Sequence, residues 1–352
     1  MNTIVSKLQN NAKFQEFVED IKKKNSPVSI SGLSSVGKIQ YIYACKESIN
    51  RPICIVTYNE IEARKIVEDL QYFAKEFEKI YYFPKRELVT YDYIAESKDL
   101  PYARQEVLNK IENGKAKIIV TTVEALMQKM VAKEILFQNK LELKLNKNYS
   151  VDGIKQSLLS LGYERTDLVE NKGQFSSRGD IIDIAISEKE GIRIEFWGDE
   201  IDSIRKFNIS TQRSSEMLKE VQILPAHEFI LEDSLQNIAE KIRKSENDLN
   251  KEIEKKISDK QKQSYEEKVE EAKQQDIELI ENGDYISKIE KYFNYFYTKQ
   301  ATFVDYLTED FIIFYDEISK IKQRQDSILI ENKNLMQALI EKEKFIPQSI
   351  QN

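Results

Sequence analysis

Residues 173–215 read GQFSSRGDIIDIAISEKEGIRIEFWGDEIDSIRKFNISTQRSS, and this stretch decides the fold of the middle of the chain. It predicts three short strands, 180–186 (DIIDIAI), 192–197 (IRIEFW) and 200–207 (EIDSIRKF). Gly191 and Gly198 fall at the joints, where a tight turn with positive φ suits glycine. Successive side chains of a strand point to opposite faces. Ile182, Ile184 and Ile186 therefore share one face, as do Ile192, Ile194 and Phe196, and these faces can form a core. The reverse face carries Asp183, Arg193, Glu195 and Trp197, with Arg178 just upstream. Mixed charge beside an aromatic suits a protein partner. An ordinary solvated sheet face has the same composition.

Working outward, six of the ten glycines lie between Gly153 and Gly198, which marks this section as turn-rich and mostly β. A helix over 151–161 ending at Gly162 precedes it, and residues 131–150 read as extended. On the N-terminal side the pattern alternates between strands and helices. Helical spacing over 1–25 is followed by a short strand at 27–31, a glycine loop and a helix to about residue 48. A buried strand at 52–57, a helix over 59–77 opened by Asn59, a strand at 80–83, a helix over 99–111, a strand at 117–122 and a short helix over 123–130 come next. Such alternation predicts a doubly wound parallel sheet. Beyond residue 233 the chain is strongly charged with sparse apolar positions at helical spacing, and 285–297 (YISKIEKYFNYFY) reads as an aromatic helix packed on the core. Residues 311–317 (FIIFYDE) read as one more strand, which carries Walker B-like acids or is equally retained as the middle of the sheet, and 327–344 read as a closing helix.

The glycine loop, Gly32-Leu33-Ser34-Ser35-Val36-Gly37-Lys38-Ile39, has the spacing of a phosphate-binding P-loop. Such a loop holds phosphates with backbone N–H groups and a helix N-terminus, neutralises them with a lysine, and binds Mg²⁺ through a hydroxyl. Ile39 stands where that hydroxyl belongs, so metal-assisted hydrolysis is expected to be lost. Asp316 and Glu317 resemble the Walker B acids of helicase-like ATPases, so one half of the metal site is kept. The final helix leaves no length for a second motor lobe within these 352 residues.

Composition bounds the rest. At 41% hydrophobic and 32% charged, 352 residues can build two or three domains with sizeable cores. A net charge of −7 argues against a surface that coats nucleic acid, leaving a local basic groove open. Cys45 and Cys54 have neither metal nor redox spacing and read as buried thiols in a reducing cytosol. Residues 1–25 lack the apolar stretch of a signal peptide, and no run approaches a membrane span. His227, the one histidine, has no placed nucleophile or acid beside it and reads as a turn or capping residue. Tyr81, Tyr82, Tyr91 and Tyr93 read as packing and turn residues rather than a base-stacking platform.

The motifs G-x-F-x-x-R-G-D-I-I-D-I at 173–184, R-I-E-F-W-G-D-E-I-D-S-I-R at 193–205 and T-Q-R-S at 211–214 resemble the second domain shared by the repair protein UvrB and the transcription-repair coupling factors. F-P-K-R-E-L at 83–88, T-T-V-E-A-L-M-Q at 121–128 and L-P-x-x-E-F at 224–229 resemble the coupling-factor branch of that family. UvrB carries a long aromatic hairpin after the corresponding strand; here the short link 94–100 leaves no room for one.

The resemblance implies a P-loop-like α/β domain of the RecA and helicase type, an inserted mostly β second domain, and a helical C-terminal part. The implied segments are 1–130, 131–215 and 216–352, the last returning to the first. It implies a non-catalytic adaptor that recruits UvrA to RNA polymerase stalled at DNA damage. Arg165, Arg178 and Glu195 carry over as docking contacts, with Arg193 and Phe175 as neighbours. Ser176 departs from the arginine found in UvrB, and Trp197 stands where phenylalanine is usual. Gly32, Gly37, Lys38, Ile39, Asp316 and Glu317 are implied remnants of a nucleotide site, with no catalytic residue, metal or cofactor in this chain. The family's full protein is an ATP-dependent DNA translocase, so polymerase and DNA contacts are expected only outside this chain. The implied location is the cytoplasm, away from membranes. The alternative is a UvrB-type ATP-dependent enzyme that recognises DNA damage.

Overall fold

A computed structural model describes residues 3–74, 79–86, 99–244, 259–283 and 288–342. The chain divides into two compact units. One comprises Met1–Arg86, Val107–Gln128 and Phe303–Ile328; the other comprises Glu87–Glu106, Lys129–Thr302 and Leu329–Asn352. This grouping differs from three consecutive segments, because most of the helical part beyond residue 216 packs in the second unit and only Phe303–Ile328 returns to the first.

In the first unit four parallel strands lie in the order Ile312–Tyr315, Ile53–Thr57, Ile118–Thr122, Ile80–Phe83. Ile53–Thr57 and Ile118–Thr122 are buried along their whole length, which is why their sequences are apolar without alternation. Helices Ser35–Ile49 and Glu60–Phe73 cover the sheet through Ile39, Ile42, Ala63, Ile66 and Leu70. Asn59 opens the second of these by accepting from the Glu62 N–H at 2.8 Å. Thr3–Gln9 and Ala12–Lys22 form two helices where one was expected, with Asn11 capping the second. Tyr81 is buried and Tyr82 half-buried beneath the Arg64 guanidinium, in keeping with packing roles. Tyr91, Tyr93 and most of the 94–100 link lie outside the described residues.

Two expectations about this sheet are corrected. Residues 27–31 form no strand. Their apolar side chains, Val28 and Ile30, are 40% and 39% exposed, so no burial draws the segment onto the sheet. Ile312–Tyr315 is consequently an edge strand rather than the middle of the sheet, and its residues are only half-buried or exposed.

The second unit is built on a six-stranded sheet in the order Ser214–Met217, Glu200–Asn208, Glu190–Trp197, Ile181–Ala185, Gln174–Arg178, Glu164–Arg165. Neighbours are antiparallel except the last pair. One face is the expected core: Ile182, Ile184, Ile192, Ile194 and Phe196 are buried against helix Val151–Ser160. Each such isoleucine contributes about 1.5–3 kcal/mol by leaving water. A bulge between Ile201 and Ser203 shifts the register, so Ile201 and Ile204 both point inward although simple alternation would separate them.

Gly198 (φ 63°) does form a turn, but Gly191 lies inside a strand. A Cβ there would collide with the Phe207 ring, so glycine is needed for close approach and not for a turn. The turn glycine before Ile181 is Gly179 (φ 55°). Residues 131–150 are not simply extended: Lys133–Gln138 is helical, and Leu141–Lys144 pairs with Glu220–Ile223. Helices Leu235–Lys244, Asp259–Glu281 and Ile289–Phe296 gather around buried Ile238, Ile242, Ile277, Tyr292, Phe293 and Phe296.

Candidate functional site

The reverse face of the six-stranded sheet has two unlike ends. At one end Val169, Ala185, Phe207 and Ile209 form a second small core. Arg193 closes it. Its Nε and Nη2 donate to the two Asp183 oxygens at 2.7 and 2.8 Å, and its guanidinium lies over the Phe207 ring at 4.9 Å. Hydrogen bonding to Asp183 raises the Arg193 pKa further above its ordinary value. Arg193 is thus held inside the domain by a two-point pair.

The other end is open. Arg178 ends strand Gln174–Arg178, is exposed, and donates through Nε to the Asp167 carbonyl at 2.8 Å, with Nη2 on the same oxygen. That bond aims the side chain and leaves its charge uncompensated. Arg165 is exposed on the two-residue edge strand, in register with Phe175 and so on the opposite side of the sheet from Arg178. Among the described residues neither arginine pairs with a carboxylate. Glu195 accepts from the Ser203 hydroxyl at 2.7 Å and meets Arg205 at 3.2 Å, so it orients a neighbour on the next strand and not Arg165 or Arg178. Trp197, 83% exposed, stands on the same strand face as Arg193 and Glu195.

Phe175 is the one expected contact that the structure withdraws. It is fully buried in the core between the sheet and helix Val151–Ser160, because its position in the strand alternates away from Ser176 and Arg178. Ser176, where the resemblance implied a missing arginine, is buried opposite Asp183. The signal that could have separated Phe175 from Arg178 was present in the sequence: three positions apart in a strand is an opposite face.

In the first unit the glycine loop keeps the spacing of a P-loop but not its openness. Ser34 caps helix Ser35–Ile49 and accepts the Gly37 N–H at 3.1 Å, occupying a donor that a phosphate would need. Lys38 Nζ donates to Asp316 Oδ1 and Oδ2 at 2.7 and 2.9 Å and reaches Glu62 at 3.5 Å. Thr57 Oγ1 adds a bond to Asp316 at 3.3 Å. Burial alone would lower the Lys38 pKa, but the bond to Asp316 and the charges of Asp316 and Glu62 outweigh it and raise the pKa. Ile39 is 1% exposed and packs into the core beneath the helix, so no side chain at that position faces the cradle. Gly32 keeps φ 81°, and exposed Glu317 adopts φ 59° in the turn after the strand. Among the described residues no group of three or more acids, cysteines or histidines is placed to hold a metal ion. The lysine of the cradle is thus paired, one N–H at the helix start is capped by Ser34, and the position of the P-loop hydroxyl carries the buried sec-butyl side chain of Ile39.

Cys45 and Cys54 are buried thiols, their pKa values pushed up to about 12 by burial. His227 is buried beside Gly162, and its Nδ1 accepts the Phe229 N–H at 3.2 Å, which is a turn role. Burial pushes its pKa down to about 4. Next to it Glu228 is fully buried and binds Arg104 through two bonds, at 2.6 and 3.1 Å. No helix of the described residues is long and apolar enough to cross a membrane.

These strands, their covering helix and the Leu141–Lys144 pair coincide with one family. Residues 141–229 match the UvrB interaction domain. Over 98% of its length the chain is 28% identical to the transcription-repair-coupling factor of Bacillus subtilis, and over 99% it is 28% identical to that of Staphylococcus aureus strain RF122. In each case the match covers the N-terminal part of the relative, and the chain spans 29% of that protein's length. Arg165, Arg178 and Trp197 lie within the residues that match the UvrB interaction domain, and the cradle around Lys38 lies outside them.

Proposed function

We propose that this chain is a non-catalytic docking module that recruits UvrA to RNA polymerase stalled at DNA damage, within nucleotide excision repair in the cytoplasm. The observation that carries the reading is the pair of exposed, uncompensated guanidinia, Arg165 and Arg178, on the edge of the UvrB interaction domain. Planar multi-donor groups of this kind recognise carboxylates and carbonyls on a partner. In this reading contacts with polymerase and with DNA are made outside this chain, which spans 29% of the relatives' length. Arg193 and Glu195 act by holding the face in shape, through Asp183 and through Ser203 and Arg205.

The test is a pulldown of UvrA by the 352-residue chain, repeated with Arg165→Ala and Arg178→Ala. Loss of capture with unchanged melting supports the docking role, and undiminished capture by both variants removes it. Lys38, Asp316 and Glu317 keep alive a second reading, a UvrB-type ATP-dependent enzyme. A true ligand stabilises the native state, so millimolar ATP with Mg²⁺ separates the two. The docking module predicts no change in melting temperature; a rise of several degrees favours the enzyme.

A further inference from the structure

The parallel-sheet unit leaves one strand edge unguarded beside a strand-like segment that is paired with nothing. Ile312–Tyr315 is the outermost strand of its sheet. The Ile312 N–H donates to the Pro52 carbonyl at 2.9 Å, and the Asp316 N–H to the Val56 carbonyl at 2.8 Å. Backbone groups alternate sides along a strand, so those of Ile313 and Tyr315 point away from the sheet. The strand carries neither a charge nor a proline, two common guards of an edge. Ile312 and Phe314 lean on the core yet are only half-buried. Residues 28–31 (VSIS) match this edge in length, and Val28 and Ile30 would share one face of a strand. The segment is exposed, and among the described residues 26–33 make no backbone–backbone hydrogen bond. It lies close to the edge, since Ser34 caps the helix whose Lys38 binds Asp316, directly after the strand. Leu33 and Val36, near Lys38, and Tyr315 and Ile318, near Asp316, are exposed as well. Apolar side chains gathered on one surface in this way mark an interface.

We propose that the occupant of this surface is a second copy of the chain. In a two-fold dimer each copy lays residues 28–31 against the Ile312–Tyr315 edge of the other, and both sheets gain a strand. Added in parallel, Val28 lies beside Ile312 and Ile30 beside Phe314, closing over their open sides. One segment alone offers too little apolar surface to hold itself on its own sheet. The exchange buries two segments at once and covers Leu33, Val36, Tyr315 and Ile318 of both copies, which the single chain leaves in water. The contact is independent of the docking function, because its residues lie outside those that match the UvrB interaction domain.

Sedimentation of the 352-residue chain from low to high micromolar concentration reads the association for wild type and Ile30→Lys. The proposal predicts a reversible dimer that Ile30→Lys weakens by roughly tenfold or more. The variant's melting temperature at low concentration should match wild type, because Ile30 is exposed in the single chain. A wild type that stays monomeric throughout, or a dimer indifferent to Ile30→Lys, overturns the proposal. Mild oxidation of a double variant, Ile30→Cys with Phe314→Cys, separates exchange from addition of the segment to its own sheet. Cys45 and Cys54 are buried and stay out of the reaction. A covalent dimer on a non-reducing gel supports exchange. A disulfide closed within one chain, or none at a concentration where wild type is dimeric, overturns it.

Discussion

The surroundings of Lys38 and of Arg178 dispose of positive charge in opposite ways. Lys38 sits at the opening of a helix in the parallel-sheet unit, where a phosphate would be held, and is spent on Asp316 and Glu62. Arg178 sits on an exposed sheet end, is aimed by a neutral carbonyl, and keeps its charge for whatever approaches. The difference teaches that a motif's spelling and its availability are separate properties. The glycine loop keeps Gly32, Gly37 and Lys38 of a phosphate site but satisfies its own donors. The sheet edge has no catalytic spelling and leaves its donors open.

Five substitutions probe this contrast, one of them compared across pH. The largest effect is expected at Phe175, the buried aromatic of the interaction domain: Phe175→Ala should cost about 3–5 kcal/mol of stability in a denaturant titration. Trp197→Ala on the same sheet should leave stability unchanged within about 0.5 kcal/mol. If both melt alike, the assignment of inward and outward faces is wrong.

Next comes His227. Its pKa falls from 6.5 in the unfolded chain to about 4 when folded. Between those values the unfolded chain takes up a proton that the folded chain refuses. Its stability contribution is therefore complete above pH 6.5 and lost as pH falls towards 4. Roughly 3 kcal/mol is at stake across that window. Urea midpoints at neutral and acid pH, compared between wild type and His227→Gln, should show a shallower acid slope in the variant.

Arg178→Ala should weaken UvrA binding by about 2 kcal/mol, read by calorimetry, with little change in melting. The smallest effect is predicted at the cradle. Lys38→Met removes the partner of Asp316, whose side chain is 6% exposed, and should cost about 1–2 kcal/mol of stability without touching UvrA affinity. A matched Lys38→Met loss of binding would erase the distinction between the two regions.

Much of the fold was legible because strong periodicities carry it. The isoleucines at 182, 184, 192 and 194 declared the core face, and the unbroken apolar runs at 53–57 and 118–122 declared a buried parallel sheet. What escaped were tertiary decisions. Gly191 looks like a turn residue until Phe207 folds over it, and the bulge at Ile201 and Ser203 cannot be read from alternation. Residues 27–31 alternate like a strand, yet too little apolar surface is on offer for them to join the sheet. The docking residues were named as a set, but only packing separates exposed Arg165 and Arg178 from clamped Arg193 and buried Phe175. Trp197 was visible on the correct face; its exposure was not, since an indole there can equally lie flat in a core.

The central claim is that the interaction-domain edge, and not the nucleotide-like cradle, is the working surface. It is tested most directly by titrating UvrA against wild type, Arg178→Ala and Lys38→Met in parallel. The account predicts wild-type affinity for Lys38→Met and a loss of roughly thirtyfold for Arg178→Ala, the equivalent of about 2 kcal/mol. Equal affinity for all three proteins, or a loss confined to Lys38→Met, would contradict it.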